Sequence, residues 1–511
     1  MKRLFFPLYI FASTSLLLAG CSKGFLDRNP ENSVSSEIFW NSETDVQTAL
    51  AGVYSRLQQN FLGYERVYLD GLSDNAFLDN NSNQANMQTM STGNLSAATG
   101  GALNNMYSTP YRAIASCNFF LDNVDKAPIT DAQKDLYKAE VRFIRALAYF
   151  DLVQIFGGVV VYTSTPANAE AAKIAKSSKE DVYRLIEDDL DFAISKLPEI
   201  KYNGHAVKGS AQGLKARVLI TQQKFDAAIP LLEAVMSSGN FGLSNNYASI
   251  FKTAGQSNAA VNTEILFSTQ YLAPNNIQRA NQGMDIELGW FSLIQPYRNL
   301  VDEYEATDGL PISESPLYNP ATPYNNRDPR LNLTLKLPGE VWTNPAGTVW
   351  SGSYVSQTGF IMEKYVDLSR APFTTNTANA TDQDYVHLRY ADILLMYAEA
   401  RNEVTGPVAA AYDAIDAVRA RPGVAMPAVN RTRYNTKELL REYIRHERRV
   451  ELALEGQRYF DLKRWNIAHT KLPTLQQPAG TPLKFETKNY VLPFQQAELD
   501  NNPRLVQNPG Y

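Results

Sequence analysis

Over most of the chain apolar residues recur three and four positions apart, the spacing of a helix that buries one face. Behind Ser42, an N-cap candidate followed by Asp45, the residues Val46, Ala49, Leu50, Val53, Tyr54 and Leu57 mark the first such helix. The same period predicts helices over 103–124, 132–156, 179–197, 210–222 and 225–237, and again over 388–404 and 408–420. Between 64 and 103 it gives way to a polar stretch carrying Asp70, Asp74, Asn75, Asp79, Asn80, Asn81, Asn83 and Asn86. That stretch reads as a long surface loop, and long loops on rigid scaffolds are often functional. The period is lost again over 241–385, where Pro, Gly, Asn and Tyr dominate and Trp290, Trp342 and Trp350 fall. Within it, Val341-Trp342-Thr343 and Thr348-Val349-Trp350 flank Asn344-Pro345-Ala346-Gly347, the pattern of a hairpin with a four-residue loop. With Thr343 opposite Thr348, period-two alternation sends Trp342 and Trp350 to opposite faces. Residues 484–511 are Pro-rich and read as irregular.

The helices come in pairs. Residues 213–239 resemble a tetratricopeptide helix pair, with Ala216 in the first helix, Phe225 and Ala228 opening the second and Gly239 closing it. Small residues at the crossing let two helices approach closely. Similar pairs are suggested by 132–156 with 179–197 and by 388–404 with 408–420. The predicted class is therefore mostly α: tetratricopeptide-like pairs forming a curved scaffold, with a long loop-rich insertion containing short β-hairpins. The expected division is a scaffold over about 36–240 and 386–470, an insertion over about 241–385 and a tail over 471–511, all in one domain spanning 36–511.

The segment 442–465 has a different character. Arg445, Arg448, Arg449, Arg458 and Arg464, with Arg441 just ahead of them, interleave there with Glu442, Glu447, Glu451 and Glu455 among Tyr, Phe and Trp side chains. Glu442 with Arg445, and Arg448 with Glu451, can pair along one helix flank, each worth about 0.2–0.5 kcal/mol. Gly456 is expected to end or bend the helix. Aromatics at this density have little reason to stay in water, so the segment reads as a structural clamp whose guanidinium groups meet carboxylates where helices join.

At the start, Lys2 and Arg3 precede an apolar run interrupted by Pro7 and closed by Leu18-Ala19-Gly20-Cys21. This describes a secretory leader over 1–20, too short for a secure membrane span. Its ending resembles a bacterial lipobox, which implies cleavage before Cys21, acylation of that residue and a polar tether over 21–35. Cys117 would then be the one remaining cysteine, leaving no intramolecular disulfide.

Composition narrows the chemistry. An apolar fraction of 44% and a charged fraction of 20% belong to a globular chain. Net charge is −5, and without Lys2 and Arg3 it becomes −7, which argues against a general nucleic-acid binder. None of His205, His387, His446 and His469 has a second metal-type residue at recognisable spacing, and His446-Glu447-Arg448-Arg449-Val450 lacks the second His of a zinc protease helix. No phosphate loop, dinucleotide glycine pattern or nucleophile elbow is present. No catalytic residue, metal or cofactor is expected, although 53 acidic residues always leave room for a glycosidase pair.

The clamp sequence ERRVELALEGQRYFDLKRW (447–465) closely resembles the C-terminal signature of the SusD/RagB family. CSKGFLDRNP (21–30), AEVRFIRALAYFDLVQIFGGV (139–159), LRYADILLMYAEARNEV (388–404) and QNPGY (507–511) extend the resemblance over nearly the whole mature chain. It implies a lipoprotein anchored through Cys21 in an outer membrane, facing the exterior, that captures an oligosaccharide or polysaccharide and passes it to a SusC-like TonB-dependent transporter. Peptide capture, which some members perform, and a surface glycoside hydrolase are the alternatives. It also implies a shallow site built from 64–103 and 241–385. Pyranose C–H faces pack on aromatic rings while their hydroxyls want polar side chains at the rim. The candidate ligand-binding residues are Trp290, Trp342, Trp350, Asp74, Asn75 and Asn80, with at least one tryptophan expected partly exposed opposite the 64–103 stretch.

Overall fold

A computed structural model describes residues 39–79, 86–278, 283–343, 347, 349–350, 356–371, 373 and 381–511. Its first helix, α1 (Glu43–Ser55), begins as the sequence predicts: the Ser42 hydroxyl accepts the Asp45 N–H, and Glu43 and Asp45 complement the helix dipole. After α2 (Ala102–Asn123), α3 (Asp131–Phe156) opens with a reciprocal capping box between Thr130 and Gln133. The helices α4 (Lys179–Lys196), α5 (Lys208–Thr221) and α6 (Phe225–Ser237) follow. After the long excursion come α7 (Tyr390–Thr405), α8 (Ala409–Arg419), α9 (Lys437–Glu451) and α10 (Arg458–Arg464).

From α2 to α6 each helix packs on the next, and α7 continues the stack by packing on α6 across the intervening chain. Close approach at this point depends on Gly213 in α5. A Cβ there would lie 2.6 Å from Leu388 and 2.9 Å from Ile393. The mostly helical class and the paired helices are thus what the structure shows.

The described strands form four antiparallel ribbons: β1 (Ala76–Leu78) with β3 (Ile294–Pro296), β2 (Ile265–Thr269) with β8 (Tyr385–Arg389), β4 (Leu335–Lys336) with β7 (Ile361–Met362), and β5 (Trp342–Thr343) with β6 (Val349–Trp350). Ribbon β2–β8 joins the chain's departure from the helical stack to its return, so most of the insertion hangs from one paired base.

Two expectations are corrected here. The polar stretch after residue 64 is no surface loop at its start: Tyr64–Leu72 is a 3-10 helix buried throughout, and β1 behind it is buried as well. In the hairpin, Thr343 pairs with Val349 and Trp342 with Trp350, so the connection is one residue longer than expected and the register that sent the two tryptophans to opposite faces does not form.

The clamp is where scaffold and insertion are tied together. Helix α9 ends at Glu451, ahead of Gly456, because Lys364 Nζ takes the carbonyls of Glu451 (3.2 Å) and Ala453 (2.8 Å) while Arg389 also takes that of Glu451 (2.8 Å). The chain then turns through Leu454 (φ 63°) and Gly456 (φ 72°). A side chain at Gly456 would sit 2.4 Å from the Arg66 carbonyl oxygen. Glu442 pairs with Arg445 at 2.8 Å as expected, but Arg448 turns from Glu451 to Asp392 (2.7 Å) and Asp461 (3.2 Å). Glu451 instead receives Arg330 (2.9 Å), Arg389 (2.6 Å) and Arg421 (2.6 Å), all fully buried with it. Burial pushes its carboxyl up, yet Arg421, Arg389 and Arg330 outweigh burial and hold it well below the usual range.

Candidate ligand-binding face

At one end of ribbon β1–β3 polar and aromatic side chains from distant parts of the chain meet. The ribbon pairs Leu78 with Ile294, and beyond it the Asp79 N–H donates to the Leu293 carbonyl at 2.8 Å. Gln357 closes this end: its side-chain amide donates to the Asp79 carboxylate at 2.9 Å and its backbone N–H to the Gln295 side chain at 2.7 Å. Ser356 and Thr358 add hydroxyls, bonded to each other at 3.1 Å. Trp290 and Phe291 lie just before β3, both partly buried.

The turn bearing Trp290 is a π-helix, Asp285–Trp290, whose other residues are buried. It is pressed onto the core without a spacer. A Cβ on Gly289 would meet the Phe373 ring at 2.8 Å and Val366 at 3.2 Å. Ser292 (φ 53°) then swings the chain into β3. At the base of the turn the Asp285 carboxylate accepts the Asp367 N–H at 2.8 Å, and Arg370 stands 3.6 Å away. Such support leaves the indole on a fixed backbone.

Asp285 gives this turn a pH signature. Burial pushes its carboxyl up to about 7, against the Asp367 N–H and Arg370, which favour the charged form. Folding therefore favours the protonated acid. The stability this contributes is complete below the ordinary carboxylate pKa of about 3.9 and is lost as pH rises through the folded-state value. Asp285→Asn, neutral at every pH, is expected to flatten the fall in melting temperature between about pH 4 and about pH 7 relative to the unsubstituted protein. Asp384, also pushed up to about 7 by burial, contributes the same sign in both proteins, so the difference isolates Asp285. Melts across that range check this, and parallel curves would refute it.

The sequence-predicted residues do not all come to this face. Asp74 is 3% exposed, its carboxylate held by Arg458 (2.8 Å) and Arg449 (3.4 Å). Burial raises that carboxyl, but Arg449 and Arg458 prevail and keep it well below the usual range. Asn75 is wholly buried, donating to Asp70 at 2.7 Å and accepting from Arg449 at 3.0 Å. Both tie β1 to α9 and α10 beneath the ribbon, which corrects their expected place on a groove rim. Trp342 is 2% exposed, with its indole nitrogen turned to the Glu363 carboxyl and Lys336 Nζ 5.4 Å above its ring. Trp350 is placed by its pairing with Trp342. Asn80 and Cys21 lie outside the described residues. Gln357, Gln295 and Ser356 were missed because nothing local marks them: Gln357 reaches Asp79 across 278 positions. Among the described residues no cluster of His, Cys, Asp or Glu could hold a metal ion, and no helix is long and apolar enough to cross a membrane.

Paired helices carrying a loop-built face on one long insertion define a helical-scaffold protein, and comparison with known proteins says which kind. Residues 263–511 match the family described as SusD, and residues 24–220 match a SusD-like family described as "Starch-binding associating with outer membrane". SusD-like protein P25 of Formosa agariphila is 26% identical over 529 residues, covering 95% of this chain and 96% of its own. A solved SusD-like carbohydrate binding protein of Bacteroides fragilis is 28% identical with a TM-score of 0.78, over 92% of this chain and 100% of that one. A solved laminarin binding SusD-like protein is 25% identical with a TM-score of 0.70, over the same shares, 92% and 100%. The chain belongs to the SusD/RagB family.

Proposed function

We propose that this chain is a cell-surface lipoprotein, attached through acylated Cys21, that binds an oligosaccharide and hands it to a SusC-like TonB-dependent transporter in the outer membrane. The folded part from about residue 36 acts as one domain, and the bound sugar undergoes no chemical change. The observation that carries the reading is the end of ribbon β1–β3, which the half-buried Trp290 and Phe291 lead into along the chain and which the Asp79–Gln357 pair and the hydroxyls of Ser356 and Thr358 close. An indole on a rigid turn offers a sugar ring its C–H-binding face, and the amide, carboxylate and hydroxyls offer partners for its hydroxyls. Two solved relatives described as carbohydrate binding and laminarin binding supply the ligand class.

Calorimetry with a panel of oligosaccharides, including those of laminarin and starch, tests this. Trp290→Ala is expected to weaken binding by about 1 kcal/mol or more, roughly fivefold or greater, at nearly unchanged melting temperature. Unaltered affinity in that variant, or no binding across the panel, would remove the site. Ligand depletion by the purified protein would point to a hydrolase instead.

A further inference from the structure

A concavity of about 720 Å³, sharing none of its described lining residues with the Trp290 face, opens between α1, the loop before α5 and the segment leaving β2. Among the residues that line it are Tyr54, Tyr137, His205 and Tyr271. Tyr54 donates its hydroxyl proton to Glu140 at 2.6 Å and accepts the Ala206 N–H at 2.8 Å, while His205 Nδ1 meets the same Glu140 oxygen at 2.8 Å. The Tyr54 and His205 rings stand edge to face at 5.3 Å. Opposite them, the Tyr271 hydroxyl accepts the Tyr64 N–H at 3.2 Å and donates to the Gln58 carbonyl at 3.3 Å. Tyr137 donates to Glu43 at 2.9 Å. The rings are therefore fixed before any ligand arrives.

Some polar groups lining the same space are bonded to protein, as the Gln47 and Gln58 amides and the Ser268 hydroxyl are, while those of the exposed His205, Gln270 and Asn276 are open to a ligand. His205 Nε2 and the side-chain amides of Gln270 and Asn276 have no protein partner among the described residues. Gly204 (φ 102°) leaves room for the Gln270 amide, which a Cβ there would approach to 2.7 Å. Among the described residues no Lys, Arg, Asp or Glu lines the cleft. A charged ligand would find no counter-charge beyond one imidazole already shared with Glu140, and a purely apolar one would strand the amides. Immobile rings with unused amides at their edges suit a neutral polyhydroxylated ring, and the volume lies in the range of small-ligand sites, about 300–1,000 Å³.

We infer that the cleft bounded by Tyr54, Tyr137, His205 and Tyr271 is a second saccharide site, taking a neutral mono- or disaccharide unit independently of the Trp290 face. Its ligand class rests on the function proposed above. His205 is a built-in reporter, since its side chain is 58% exposed and stands in the cleft.

The test uses the mature chain with labelled histidine and tryptophan, following the His205 imidazole and Trp290 indole resonances by NMR. Glucose, galactose, mannose, xylose, maltose, cellobiose and laminaribiose serve as probes. At least one sugar is expected to shift His205 saturably while His469 stays still. The shift should persist in Trp290→Ala and need at least tenfold more sugar in Gln270→Ala, a substitution at an exposed position. If no sugar moves His205 while the Trp290 indole responds, the second site is overturned and the proposed function stands. If both stay silent, both fall. A His205 titration unchanged by Gln270→Ala also overturns the assignment.

Discussion

Arg389→Met is expected to cost the fold about 3–5 kcal/mol, the loss that follows when one partner of a buried ionic cluster is removed. Arg389 sits at the end of β8, 1% exposed, where the insertion rejoins the scaffold. Its guanidinium reaches Glu264 at 2.9 Å, Glu451 at 2.6 Å and Glu455 at 2.7 Å, and donates as well to the Glu451 carbonyl. Methionine fills much of the volume but answers none of these oxygens. Arg421 and Arg330 remain beside Glu451, and Lys364 beside Glu455 at 2.8 Å, so the carboxylates are left with fewer donors than lone pairs. Arg433, paired with Glu314 on the surface at 2.6 Å, is the control, and Arg433→Met should change stability by no more than about 0.5 kcal/mol. Urea denaturation of both variants measures the contrast. A loss below about 1 kcal/mol for Arg389→Met would mean the network is not what ties insertion to scaffold.

The same network shows what the sequence could and could not disclose. Helices were legible because their signals are local. Ser42 with Asp45 marks a start, and the period over 225–237 coincides with helix Phe225–Ser237. The clamp was legible in kind, since arginines set among aromatics cannot be left in water. Its partners were not: Arg330 and Glu447 are 117 positions apart, Arg458 and Asp74 384. A local rule offered Glu451 to Arg448, and buried partners from other elements took both instead. The stretch after residue 64 misleads for a related reason. Its Asp and Asn residues register a demand for hydrogen-bond partners, which a loop meets with water and this chain meets with Arg449, Arg458 and the Gly456 N–H. Of the candidate site, Trp290 was legible as a tryptophan in the insertion and Asp79 as part of the polar stretch. The rest is assembled by ribbon β1–β3, whose strands are separated by more than two hundred residues.

Trp342→Ala is expected to destabilise the protein by about 3–5 kcal/mol, the cost of emptying a large buried site, and so to behave unlike Trp290→Ala. The two tryptophans were equivalent as sequence, each in a polar insertion next to a second aromatic or a turn. Their surroundings separate them. Trp342 is 2% exposed, lies under the Lys336 ammonium and turns its nitrogen to the Glu363 carboxyl. Its loss would leave a cavity and deprive Lys336 of a ring worth about 0.5–2 kcal/mol. Trp290 keeps part of its ring at the surface, so truncation there removes less packing and its effect should appear in ligand titrations. Paired denaturation curves for the two variants decide the matter. Should Trp342→Ala prove as mild as Trp290→Ala, ribbon β5–β6 would be no part of the core, and the ligand-binding face would have to be extended to include it.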